Sequence, residues 1–267
     1  MKTRIAPGLL IAGLWLLLLL KGPPLLFCLV VAILALWAAD EYLRMVDPRP
    51  LGFGERWLVN VCLASPTLTV CIRPDVAALG PGLLLGFFLV VLYFLSRYAV
   101  LQNRFDYFCR LGIGTVYLGF LCAHLVLLRY HPQGAAWLII GTAITAGSDT
   151  GAYFVGRKFG RHKLCPNVSP NKTIEGAIGG VVVGVAAAAA FAFSILPQVN
   201  WPFLLVSAAV LCLVGIVGDL TESVIKRGTG TKDSGRCLAG HGGILDRVDS
   251  LLLVGPFLYY FVMLSGS

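Results

Sequence analysis

Residues 201–264 read WPFLLVSAAVLCLVGIVGDLTESVIKRGTGTKDSGRCLAGHGGILDRVDSLLLVGPFLYYFVML. Two apolar runs, each long enough for a membrane helix of about 20 residues, enclose a segment from Asp219 to Asp249 that is dense in ionisable side chains. Charged groups at membrane depth cost several kcal/mol unless they are paired, solvated or metal-bound, so such a segment reads as a functional site. It combines carboxylates that suit a divalent cation, Lys and Arg that suit phosphate, and glycines that let backbone approach a ligand.

The rest of the chain supports the membrane reading. Of 267 residues, 58% are hydrophobic and 13% charged, against about 25% charged in a soluble domain, and the mean hydropathy is +0.84. The composition predicts an all-α polytopic integral membrane protein. The net charge of +8 fits basic loops on the cytoplasmic side better than a nucleic-acid partner. The eight cysteines form no CxxC pair and lie mostly in apolar runs, as small core hydrophobes do. The start, MKTRIAPGLLIAGLWLLLLLKGPP, imitates a signal peptide, but a second apolar run follows without a small-residue cleavage site, which predicts a retained helical hairpin.

About nine helical spans are expected, near 7–20, 24–40, 57–72, 79–98, 111–128, 134–156, 174–195, 201–221 and 244–264, with Ser65-Pro66 interrupting the third and the polar island Ser148–Tyr153 interrupting the sixth. The natural division is an N-terminal helical region, 1–133, and a catalytic region, 134–267. With the N-terminus inside, nearly all Lys and Arg fall in inner connections, and only Lys21, Arg73 and Arg129 lie outside. The charged segments then face the cytoplasm. Gly176, Gly180 and Gly184 recur every fourth residue, a close-packing face that would also suit a homodimer seam.

Asp219, Glu222, Ser223 and Lys226 fall at i, i+3, i+4 and i+7, one polar stripe if the eighth helix continues past Asp219. Asp246, Asp249 and Ser250 form a second stripe on the last helix. His241-Gly242-Gly243 precede that helix, whose free N–H groups suit a phosphate. Lys226, Arg227 and Lys232, beside Asp233, Ser234 and Gly235, make a polyphosphate clamp. Upstream, Asp149 lies near membrane depth, Thr173 is an N-cap for the seventh helix, and Lys172 is a further phosphate ligand. The run Gly151-x4-Gly156-Arg157-Lys158 imitates a phosphate loop but lacks the Lys-Ser/Thr pair.

The run Ser223-x-Ile225-Lys226-Arg227-x4-Lys232-Asp233-x-Gly235-x2-Leu238-x2-His241-Gly242-Gly243-Ile244-x-Asp246-Arg247-Val248-Asp249, with the islands SDTGAY at 148–153 and SPNKTIEG at 169–176, resembles the phosphatidate cytidylyltransferase (CDP-diacylglycerol synthase) family. The resemblance covers about 140 to the C-terminus; earlier residues match only as membrane helices. Ala239 stands where the family usually has Pro or Gly, without loss of a charged group.

The resemblance implies transfer of CMP from CTP to phosphatidate in phospholipid biosynthesis, with Mg²⁺ and room for a second cation, in a bacterial cytoplasmic (inner) membrane with the site on the cytoplasmic side. It implies Asp219 and Asp246 as metal ligands, Asp249 as support and Asp149 as a further candidate. Asp219, Asp246, Lys226 and Arg227 are then the catalytic set. Ser223, Lys172, Lys232, His241, Gly242 and Gly243 would bind substrate, and Asp233 and Arg247 would orient the clamp. A transporter, or a different lipid-head-group phosphotransferase, uses the same residue types. The former predicts flux in sealed vesicles without nucleotide; the latter, a different Asp/Gly spacing.

Overall fold

The computed structural model describes residues 2–47, 49–235 and 242–265. Among these, nine long helical stretches follow one another: α1 (Lys2–Lys21), α2 (Pro24–Val46), α3 (Phe53–Ile72), α4 (Leu79–Arg97), α5 (Arg104–Gly114) running through a π-helical turn (Thr115–Phe120) into α6 (Leu121–Tyr130), α7 (Gly134–Phe159), α8 (Ile174–Ile195), α9 (Trp201–Gly228) and α10 (Leu245–Ser265). Six stretches among the described residues are long and apolar enough to cross a membrane: α2, α4 with its preceding turn, α5–α6, α8, α9 and α10. Exposed apolar side chains such as Leu84 and Phe88 on α4, and Val182 and Phe193 on α8, are what lipid requires and water does not. The chain is a polytopic integral membrane protein.

Two compact units divide the chain. One comprises Met1–Tyr130 with Thr229–Arg247, the other His131–Gly228 with Val248–Ser267.

In the first unit α3 is not interrupted at Ser65-Pro66, contrary to expectation; it is continuous from Phe53 to Ile72. Pro66 has no N–H for the carbonyl of Cys62, and the Ser65 hydroxyl donates to that oxygen instead, at 2.8 Å. The π turn opposite exploits the same place. Gly119 packs so closely on Leu63 and Pro66 that a side chain there would overlap them, and the Thr67 hydroxyl donates to the Gly119 carbonyl at 2.7 Å. In a membrane such freed backbone groups must find a partner within the protein.

Where α2 ends, Asp47 is buried and accepts from Arg49 N (3.1 Å), Arg49 Nε (2.9 Å), Arg49 Nη2 (2.6 Å) and the Tyr107 hydroxyl (2.7 Å). Burial opposes ionisation of Asp47, but these hydrogen bonds outweigh it and hold its carboxyl below the ordinary range.

In the second unit the glycine face of α8 is a packing seam. Side chains at Gly176 and Gly180 would lie 2.9 Å from the Ala152 carbonyl and 2.8 Å from that of Ser148, and one at Gly184 would lie 3.0 Å from that of Ile144. Positions 176, 180 and 184 therefore match 152, 148 and 144 on antiparallel α7. The seam is used inside the unit and so lends no support to a second copy.

Helix α7 stays helical through Ser148–Tyr153, so that polar island does not break it. Residues between α7 and α8, read as a loop with a helix cap, form an antiparallel hairpin of β1 (Lys163–Cys165) and β2 (Ser169–Thr173). Thr173 then caps α8 as expected, its hydroxyl accepting from Gly176 N at 3.1 Å. The Glu175 carboxylate accepts the N–H groups of Arg161 (3.0 Å) and His162 (3.2 Å), closing the corner that leads into the hairpin. The seven cysteines among the described residues are free thiols.

Candidate active site

Helix α9 runs to Gly228, so Asp219, Glu222, Ser223 and Lys226 do share one face. Each acid on it meets a lysine. Lys172, just before α8, places its ammonium 2.6 Å from Asp219 Oδ2. Lys226 places its own 2.6 Å from Glu222 Oε2. The two pairs differ in access. Lys172 and Asp219 remain 23% and 32% exposed, whereas Glu222 is 1% exposed beneath Lys226. The first pair is within reach of a soluble ligand; Glu222 is a buried counter-ion that fixes the lysine head.

Gly218 brings a third acid to this place. A side chain there would lie 2.9 Å from the Asp249 carbonyl and 3.1 Å from Ser250 Cα, so only glycine allows α9 to cross α10 this closely. The result sets Asp249 within electrostatic reach of Asp219, Asp149 and Lys226. Asp149 itself is exposed on α7. Ser223 is half-buried, and the exposed Arg227 donates from Nε to the Val168 carbonyl of the hairpin at 3.4 Å.

The first unit holds the remaining candidates. Asp246 sits in the first turn of α10. Its Oδ2 accepts from Gly243 N (2.8 Å), Ser234 N (3.1 Å) and the Ser234 hydroxyl (2.9 Å). Gly242 takes a positive φ of 78°, which glycine adopts without strain. Lys232, Asp233 and Arg247 are exposed. His241 lies outside the described residues.

The amides of Ile244 and Leu245, expected to seat phosphate, donate to the carboxylate of Glu41 on α2, at 3.0 and 2.9 Å. Glu41 and Ser234 were not among the candidates. The signal for Glu41 was present: Asp40-Glu41 directly follows an apolar run, the feature that singled out Asp219.

Among the described residues no three His, Cys, Asp or Glu side chains form a ready-made cation cage. The donor set present, carboxylates flanked by lysines, is of the kind that takes a divalent cation together with a polyphosphate.

Comparison with known proteins decides the family: residues 2–265 match the model of the Cytidylyltransferase family. The chain belongs to that family. Within it, this chain is 34% identical to the phosphatidate cytidylyltransferase of Bacillus subtilis (strain 168) over 268 residues, 99% of this chain and 98% of the relative. It is 35% identical to that of Staphylococcus aureus (strain COL) over 266 residues, with 97% of each chain covered. It is 34% identical to that of Staphylococcus saprophyticus over 263 residues, again with 97% of each covered. The match extends through the N-terminal helices of the chain, beyond the region that its motifs mark.

Proposed function

We propose that this chain transfers CMP from CTP to phosphatidate, forming CDP-diacylglycerol and pyrophosphate. The observation that carries the reading is the meeting of Lys172 with Asp219 at 2.6 Å at one end of apolar helices, with Asp249 in electrostatic reach of Asp219. Lysines and carboxylates are gathered where a water-borne triphosphate can meet a lipid phosphate.

In the reaction a phosphate oxygen of phosphatidate attacks the α-phosphorus of CTP. The bond from that phosphorus to the bridging oxygen breaks, and pyrophosphate leaves. Phosphatidate is already ionised near neutral pH, so no general base is required, and positioning and charge neutralisation carry most of the catalysis.

Lys172, Lys226, Arg227 and Lys232 hold the phosphates, with Glu222 fixing the direction of Lys226. Asp219 and Asp249, with Asp149 near them, would hold a divalent cation, and Asp246 is a further carboxylate suited to such an ion. When bound, Mg²⁺, with or without a second cation, supplies neutralisation of the phosphate charge. Ser223 offers a further oxygen. Gly242 lets backbone approach phosphate, with His241 as a further phosphate ligand, while Gly243 serves Asp246 through its amide; Asp233 and Arg247 orient the basic loop. The catalytic groups thus come chiefly from 134–267. The site faces the cytoplasm from a bacterial inner membrane, where CTP is available and two-chain lipids remain in the bilayer.

The test uses purified full-length protein with labelled CTP, phosphatidate and Mg²⁺. A cytidine-containing lipid with release of pyrophosphate is expected. No such lipid under any divalent cation overturns the reading.

A further inference from the structure

Glu41 is 2% exposed near the C-terminal end of α2. A carboxylate this buried needs donors, and Ser234, Ile244 and Leu245 supply them. Oε1 accepts from Ile244 N (3.0 Å), and Oε2 accepts from Leu245 N (2.9 Å) and the Ser234 hydroxyl (3.1 Å). The Ser234 hydroxyl also stands 2.9 Å from Asp246 Oδ2, so one hydroxyl lies between Glu41 and Asp246.

Two glycines make the approach possible. A side chain at Gly235 would come 2.6 Å from Glu41 Oε1, and one at Gly243 would overlap Oε2. Backbone at Gly235 and backbone at Gly243 therefore both pack against this one carboxylate.

A helix start that needs only stability is capped by its own Ser, Thr, Asp or Asn. Here the cap of α10 is an anion imported from a position 203 residues away in sequence. Desolvating a carboxylate carries a penalty that a local serine would avoid. The arrangement makes sense if the position of the loop, not merely the helix start, is what must be fixed.

We propose that Glu41 is a positioning residue for cytidylyl transfer: through Ser234 and the Ile244 and Leu245 amides it sets the backbone at 234–235 and 243–245, the first turn of α10, and hence Asp246. This rests on the function proposed above for Asp246. Groups that orient a metal ligand typically contribute about 10- to 100-fold, and a displacement of about 1 Å at a reacting group has a similar effect.

The test compares wild type with Glu41→Ala, Glu41→Gln and Gly235→Ala in the purified full-length protein. Glu41→Ala is expected to lower kcat roughly 10- to 100-fold, with KM for CTP and phosphatidate changed less than about threefold. Glu41→Gln, which keeps the shape and one acceptor oxygen, recovers part of the rate. Gly235→Ala gives a smaller loss of the same kind, and none beyond that of Glu41→Ala when the two are combined, because the shortened side chain makes room. Hydrogen exchange, which requires no substrate, should show lost protection at 242–247 with α3 and α4 unchanged.

A kcat within about twofold of wild type in folded Glu41→Ala overturns the proposal, as does a rise in KM alone or a loss of protection spread over all helices. If wild type makes no cytidine lipid, the proposed function fails, while the hydrogen-exchange comparison still decides whether Glu41 holds the loop.

Discussion

Two pairs of acids, one pair in each unit, are satisfied differently. In the His131–Gly228 and Val248–Ser267 unit, Asp219 and Glu222 are each matched by a lysine ammonium at 2.6 Å. In the other unit, Glu41 and Asp246 receive neutral N–H and O–H donors. Backbone amides cannot leave, so their carboxylates are fixed in place. A lysine on a flexible stem can exchange a carboxylate for a phosphate, and the carboxylate can then turn to a cation. The contrast separates carboxylates that can exchange their partner from carboxylates held in one place.

The sharpest way to break this contrast is Asp219→Asn. If Asp219 serves a cation, the initial rate of cytidine-lipid formation falls roughly a thousandfold, corresponding to about 4 kcal/mol of lost transition-state stabilisation, while the melting temperature changes little because the side chain is partly exposed. A rate near wild type would assign the Lys172–Asp219 pair to structure.

Lys226 should behave in the opposite way. Lys226→Ala leaves Glu222 buried without its ammonium and should destabilise the fold by about 3–5 kcal/mol, read by thermal unfolding in detergent. The double change Glu222→Gln with Lys226→Met should restore stability but not activity, since the phosphate-binding charge is still missing. Restored activity would mean that Lys226 only neutralises Glu222.

Smaller effects test the frame that carries these groups. Gly180→Val forces a side chain against the Ser148 carbonyl, 2.8 Å from the first added carbon. Backbone cannot retreat as a side-chain tip can, so a loss of about 1–3 kcal/mol is expected, measured by thermal unfolding. In the first unit Asp47 is ionised by its contacts with Arg49 and Tyr107 against the effect of burial. A depressed carboxyl contributes stability above its unfolded pKa of about 4 and loses it as pH falls through the folded value. Unfolding followed from neutral to acid pH should therefore show an acid limb that Asp47→Asn flattens, with a loss at neutral pH of about 1–3 kcal/mol. Parallel profiles for the two proteins would remove Asp47 from the account.

The helices were legible because a membrane span must be a run of about 20 apolar residues, and every one of the nine runs became a helix. The stripe of Asp219, Glu222, Ser223 and Lys226 followed from spacing alone, and the seam of Gly176, Gly180 and Gly184 from small residues at every fourth position. What escaped depends on partners distant in sequence. Pro66 was expected to interrupt α3 because its loss of an N–H is local, whereas the π turn and Thr67 that accommodate it lie 52 residues apart. Lys172 and Asp219 were assigned to phosphate and cation separately, and only folding reveals that they pair. Glu41 carries no spacing signature; its donors begin 193 residues later.

The most direct test of Asp219 as a cation ligand is the metal preference of Asp219→Cys in cytidine-lipid formation. A thiolate is a poor ligand for hard Mg²⁺ and a good one for a soft ion. The expected result is loss of activity with Mg²⁺ and its partial return with Cd²⁺, while wild type works with Mg²⁺. Wild-type activity of the variant in Mg²⁺, or the same low rate with both ions, would contradict the account.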